Sequence, residues 1–197
     1  METTNLVHRL LDQENGVLLT STATKAGLPR HKLAKLVADG VLERTVRGVY
    51  TEAGGMDDEL FSLQQRAKKI VYSHETALFL LGLSDRTPFR YSVTVPSSYK
   101  PSQPLKESCK VYYIKPELID LGKTQLPSGM GHSIVVYDVE RTICDALRSR
   151  NKMDSQVVTD ALKRYAARSD INLNRLGDYA KNFGVYKLLR QYLEVLL

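Results

Sequence analysis

The sequence predicts an α+β fold in two parts: a small N-terminal unit of helices closed by a hairpin, then a mixed α/β domain ending in a helical bundle. Three observations carry this. Residues 3–39 show helical periodicity broken by Gly and Pro, residues 41–51 switch to short β-rich pieces, and from Val139 onward apolar residues recur at three- and four-residue spacing. The 197 residues suit one large domain or two small ones, and 43% hydrophobic with 25% charged residues is an ordinary globular composition.

Leu6, Val7, Leu10 and Leu11 predict a first helix over residues 3–13, stopping at Asn15-Gly16, and Val17–Leu19 forms a short apolar run. Thr20 or Ser21 is suited to cap a second helix over 22–26, and Pro29 opens a third with Leu33, Leu36 and Val37 inward. Strands 41–45 and 49–51 join through Val46-Arg47-Gly48, where glycine permits the positive φ of a tight turn. This order is that of a winged helix-turn-helix, with Gly27-Leu28-Pro29 as the turn between the second and third helices.

Ala53–Asp58, rich in small and acidic residues, is the expected boundary, giving domains 1–55 and 56–197. Beyond it a helical face of Leu60, Leu63 and Ala67 is followed by a helix over 74–81, capped by Ser73 and ended by Gly82. Strands are predicted at 91–95, 110–114 and 133–137, with 96–104 a loop. Helices are predicted at 139–148, 155–167, 173–181 and 185–196.

Charge adds a functional direction. The chain carries 28 Lys and Arg against 22 Asp and Glu, a net +6 that favours an anionic partner. Between residues 25 and 47 six basic residues face two acidic ones, and between 148 and 190 ten face four. In a winged helix the third helix enters the major groove of double-stranded DNA. Arg30, His31 and Lys32 occupy its first turn and Lys35 the next, with Arg44 and Arg47 on the wing. Ser21, Thr22, Thr24 and Lys25 on the second helix are placed for phosphate oxygens. Tyr50, after the wing, is read as core.

No enzyme signature stands. His74-Glu75 lacks the second histidine of a zinc-binding HExxH helix, since position 78 is leucine. Gly129-Met130-Gly131 is too short for a dinucleotide fingerprint, and Cys144 lies in the apolar rhythm of Ile143, Ala146 and Leu147 as a core thiol. Asp138, Glu140 and Asp145 lack the framing of a metal-bound nucleotidyltransferase site. No metal or cofactor is expected, and with two cysteines, no leader pattern and no apolar run of membrane-spanning length, the expectation is a cytoplasmic protein without a membrane partner.

Tyr137-Asp138-Val139-Glu140-Arg141-Thr142-Ile143-Cys144-Asp145 resembles the strand-to-helix segment of the AbiEi family. Ser73-His74-Glu75-Thr76-Ala77-Leu78 followed by Leu81-Gly82-Leu83 is similar to that family's earlier helix. These are antitoxins and transcriptional repressors of bacterial abortive-infection, or phage-defence, toxin–antitoxin systems. The resemblance implies repression of the operon's own promoter, at inverted repeats, by the N-terminal domain. It implies that the C-terminal domain counteracts a nucleotidyltransferase-like toxin without a stable complex. From the residues alone, Asp138 caps a helix, Glu140 favours its positive terminus, and Arg141 reaches a nearby carboxylate. Lys163, Arg164, Arg168, Arg175, Lys181, Lys187 and Arg190 form a basic helical face, either an antitoxin or second nucleic-acid surface or simply a solvated one. The rival reading is a winged-helix protein-docking module, which calls for apolar anchors on the third helix.

Overall fold

Helix α1 (Glu2–Gln13) turns its Val7, Leu10 and Leu11 inward and stops where Asn15 and Gly16 adopt left-handed backbone. The computed structural model describes residues 2–196, which divide into two compact units, Met1–Lys68 with Leu126–Ile134 and Lys69–Gln125 with Val135–Leu197. Its elements are mixed α+β.

In the N-terminal unit β1 (Val17–Leu19), α2 (Thr20–Lys25), α3 (Arg30–Ala38), β2 (Leu42–Val46), β3 (Val49–Glu52) and α4 (Glu59–Arg66) follow. β3 is central in an antiparallel sheet of order β1-β3-β2, pairing Val17 with Thr51 and Leu42 with Glu52. Gly48, at φ 87°, makes the β2–β3 turn. Leu18, Leu28, Leu33, Leu36, Leu42 and Tyr50 meet in one apolar core with α1. Each leucine so buried contributes about 1.5–3 kcal/mol.

Neither Thr20 nor Ser21 caps α2. Leu19 stands at the N-cap without a side-chain bond, because Thr20 is already helical and its hydroxyl donates to the Gly48 carbonyl at 3.3 Å. Asp58, expected in a linker, is instead a buried node. Its Oδ1 accepts from the Phe61 amide at 3.1 Å, capping α4, and its Oδ2 accepts from the Ser128 hydroxyl and lies 2.6 Å from His132 Nδ1. His132 Nε2 donates to the Glu14 carbonyl at 2.9 Å and its ring stacks on Phe61 at 4.4 Å.

The C-terminal unit contains β4 (Val71–Tyr72), α5 (His74–Leu80), β5 (Tyr91–Pro96), α6 (Gln103–Ser108) and β6 (Cys109–Ile114). Next come β7 (Lys123–Pro127), β8 (Ser133–Tyr137), α7 (Val139–Arg148), α8 (Ser155–Ala166), α9 (Leu173–Asn182) and α10 (Tyr186–Leu196). The sheet order is β6-β5-β4-β8-β7; β5 runs parallel to β6 and β4 parallel to β8. β4, β7 and α6 were not expected, α6 falling partly in the predicted loop. No described helix is long and apolar enough to cross a membrane.

Helix α7 packs against α5, α8, α9 and α10, and every side chain from Glu140 to Leu147 is buried. Asp138 caps it, accepting from the Arg141 amide at 2.8 Å. Arg141 is fully buried. Its Nε donates to Asp145 Oδ2 at 3.0 Å, Nη1 donates to the carbonyls of Leu118 and Leu121 at 3.0 and 2.6 Å, and the guanidinium lies between the rings of Tyr137 and Phe183. Gly122, at φ 76°, is the closest approach, since a Cβ there would stand 2.6 Å from Arg141 Cβ. Cys144 is buried, and burial pushes its thiol pKa up, as expected of a core residue.

Ser73 occupies the N-cap of α5, but its hydroxyl does not cap the helix. It accepts from Thr94 Oγ1 at 2.8 Å and lies 2.9 Å from His74 Nδ1, while His74 Nε2 is 2.9 Å from Ser149 Oγ. His74 is wholly buried in left-handed backbone, φ 47°, stacked on Tyr112 at 3.4 Å. Burial, reinforced by Arg148, Arg141, Lys110 and Lys152, holds its pKa well below the ordinary 6.5.

Two outcomes follow. Arg141→Ala leaves the buried Asp145 carboxylate with Arg148 alone and should destabilise the C-terminal unit by about 3–5 kcal/mol in urea denaturation. Because folded His74 resists protonation, its contribution to stability is complete above pH 6.5 and is lost as the pH falls from there toward the lowered folded value. Unfolding free energy measured against pH should therefore decline below 6.5 by up to about 1.4 kcal/mol per pH unit more steeply than in His74→Gln.

Candidate nucleic-acid interface

Local folding sets the N-terminal cations outward. Burying Leu33 and Leu36 on the inner face of α3 leaves Arg30, His31, Lys32 and Lys35 exposed, and burying Ala23 does the same for Ser21, Thr24 and Lys25 of α2, with Thr22 half-buried. Arg44 on β2 and Arg47 in the β2–β3 turn are also exposed. Ser21, Thr24, Lys25, Arg30 and Arg47 line one concavity of about 550 Å3, and Arg30, Arg44 and Arg47 share a second of about 620 Å3. Thr22, His31, Lys32 and Lys35 line neither concavity. Tyr50 is 8% exposed, in the core as expected, although its edge borders the second concavity.

Helix α4 supplies residues that sequence reasoning missed. Gln65 borders both concavities, Lys68 the first and Arg66 the second. The signal was present as a short basic run just past the expected boundary, but only the packing of α4 against β2 brings it to the same surface.

The two predicted basic regions differ electrostatically. Among the described residues, none of Lys25, Arg30, Lys32, Lys35, Arg44 and Arg47 has a carboxylate partner. On the C-terminal face Arg164 pairs with Asp85, Arg168 with Asp170, Lys181 with Asp178 and Arg190 with Glu194. Arg175 approaches Asp138 and Glu140 at 4.0 and 3.8 Å. Lys163 and Lys187 are exposed without such a partner among the described residues. Arg164 and Arg168 hold their partners' carboxyl pKa values below the ordinary 3.8.

Residues 5–53 match the family model described as transcriptional regulator, AbiEi antitoxin. The match supports the AbiEi family. It covers the helices and sheet of the N-terminal unit up to β3, the segment that carries the unpaired cations. The fold is similar to the crystal structure of the RV2827C protein from Mycobacterium tuberculosis, at a TM-score of 0.61 and 17% identity, covering 89% of this chain and 69% of that one. That likeness is one of fold. No curated protein matches the chain.

Since the N-terminal cations have no internal partners, reversing them should be nearly silent for folding. Arg47→Glu and Lys25→Glu are each expected to stay within about 0.5 kcal/mol of the parent in urea denaturation.

Proposed function

We propose that the chain is an antitoxin of a bacterial abortive-infection toxin–antitoxin system that represses its own promoter. Residues 1–55 act as a winged helix-turn-helix, with α3 in the major groove and the β2–β3 turn as the wing, and 56–197 act as the antitoxin domain. The observation carrying this reading is the set of exposed, unpaired cations on α2, α3 and the hairpin, in a segment that matches antitoxin regulators. Unpaired cations displace counterions from phosphates without first breaking an ion pair of their own.

Within this reading Arg30, His31 and Lys32 face base edges and Lys35, Arg44 and Arg47 meet phosphates, with Ser21, Thr22, Thr24 and Lys25 flanking them. The promoter site is a pair of inverted repeats, and the protein works in the cytoplasm without catalysing a reaction. The C-terminal domain counteracts a nucleotidyltransferase-like toxin without a stable complex. Of its basic face, Lys163 and Lys187 are the positions with charge to spare, whereas the other five spend theirs locally. The docking-module rival is less favoured, because the outward positions of α3 are basic and present no apolar anchor.

Fluorescence anisotropy against the duplex upstream of its own operon and a scrambled duplex tests the proposal. A preference of at least about tenfold for the upstream duplex is expected, lost in Arg30→Ala/Lys32→Ala. Arg47→Ala should weaken both duplexes alike and lower the salt slope by about 1. Equal binding to both duplexes reduces the protein to an unspecific basic binder, and no binding to either returns the argument to the docking module.

A further inference from the structure

A concavity of about 460 Å3 in the C-terminal unit lies outside the DNA reading altogether. Lys110 and Tyr112 of β6 form one side, and Arg148, Ser149, Asn151 and Lys152, at and beyond the end of α7, form the other. Among the described residues no carboxylate lines it. Lys110 is held by Glu75 at 2.7 Å, while Asp145, wholly buried, is shared between Arg141 and Arg148 at 3.0 and 3.2 Å. Lys152 has no acidic partner among the described residues. Four cations against two carboxylates leave a double positive charge at this place.

Ser149, which lines the concavity, ends a chain of hydroxyls and one imidazole that runs back through His74 and Ser73 to Thr94. Thr94 donates to Ser73 Oγ at 2.8 Å, and Ser73 Oγ lies 2.9 Å from His74 Nδ1. In the tautomer with its hydrogen on Nε2, the imidazole accepts from Ser73 at Nδ1 and donates to Ser149 Oγ at 2.9 Å. The Ser149 oxygen is thereby an acceptor, and its hydroxyl hydrogen is left over for whatever enters. Linked bonds of this kind polarise and strengthen one another. His74 sits in left-handed backbone to complete it, and such strain collects where a site is organised in advance.

We propose that this pocket binds the terminal phosphate monoester of a phosphorylated ligand, with the Ser149 hydroxyl donating to a phosphate oxygen and Lys110, Arg148 and Lys152 balancing its charge. A monoester dianion matches the double positive charge, and a concavity accepts an end group where a continuous backbone would pass over it. A free nucleotide and the 5′-phosphate of a nucleic-acid strand offer the same chemistry. This inference stands independently of the promoter-binding proposal.

Isothermal titration of the full chain with a nucleoside 5′-monophosphate, its nucleoside, and one short oligonucleotide with and without a 5′-phosphate tests it. At least one phosphorylated ligand should bind about tenfold or more tightly than its unphosphorylated twin, as loss of a charge-assisted contact implies. Binding of the mononucleotide identifies the free ligand as a source, and binding of the phosphorylated oligonucleotide alone identifies the strand end. Lys152→Glu, on an exposed side chain, and Ser149→Ala should each abolish the difference, and Ser149→Thr should keep it, with thermal melting checking the fold. Equal affinity within both pairs, or a preference untouched by Lys152→Glu, overturns the proposal.

Discussion

A guanidinium shut away from water draws its partners from inside the protein, and Arg141 draws them from four segments at once. Asp145 lies one turn along the same helix, the carbonyls of Leu118 and Leu121 lie on the connection before β7, and the rings of Tyr137 and Phe183 close over its two faces. Removing such a charge from water costs several kcal/mol, so the arrangement persists only because its partners are rigidly held. That requirement explains the glycine at 122, the cap at Asp138 and the burial of a helix on which charged residues alternate with apolar ones.

The same constraint reinterprets the sequence segment that resembles the AbiEi family. Glu140, Arg141 and Asp145 are all buried, each with partners inside the C-terminal unit. Glu140 accepts from the Asn172 amide at 3.1 Å and Asp145 joins two arginines. They hold the unit together, whereas Lys25, Arg30, Lys32, Lys35, Arg44 and Arg47 are exposed with no carboxylate partner among the described residues. In the N-terminal unit these lie on α2, α3 and the hairpin.

The helices were legible because their ends are written locally. Asp138 was readable as a cap and α7 has the expected bounds, while α1, α3 and α8–α10 differ by a residue or so. What stayed hidden depends on distant partners. β4 is two residues long and β7 reads Lys-Thr-Gln-Leu-Pro, so neither has a hydrophobic rhythm of its own, and each exists through its neighbours in the sheet. Ser73 is misread as a cap because Thr94, 21 residues on, competes for its hydroxyl. Arg30 and Arg47 were visible as charge, but their shared border with Gln65 of α4 is a matter of packing.

The position of residues 126–134 bears on how the molecule is made. They complete the N-terminal unit through Ser128 and His132, yet the ribosome delivers them only after much of the C-terminal sequence. Asp58 and the Glu14 carbonyl therefore lack their His132 partner on the nascent chain until about 60 residues beyond Lys68 emerge, some seconds at ordinary rates of synthesis. During that interval the cationic helices are already present while the loop that locks their unit is still missing. Assembly of the part that carries the unpaired cations is thus coupled in time to synthesis of the part that follows it, and a chain truncated before residue 126 lacks the segment that completes the N-terminal unit.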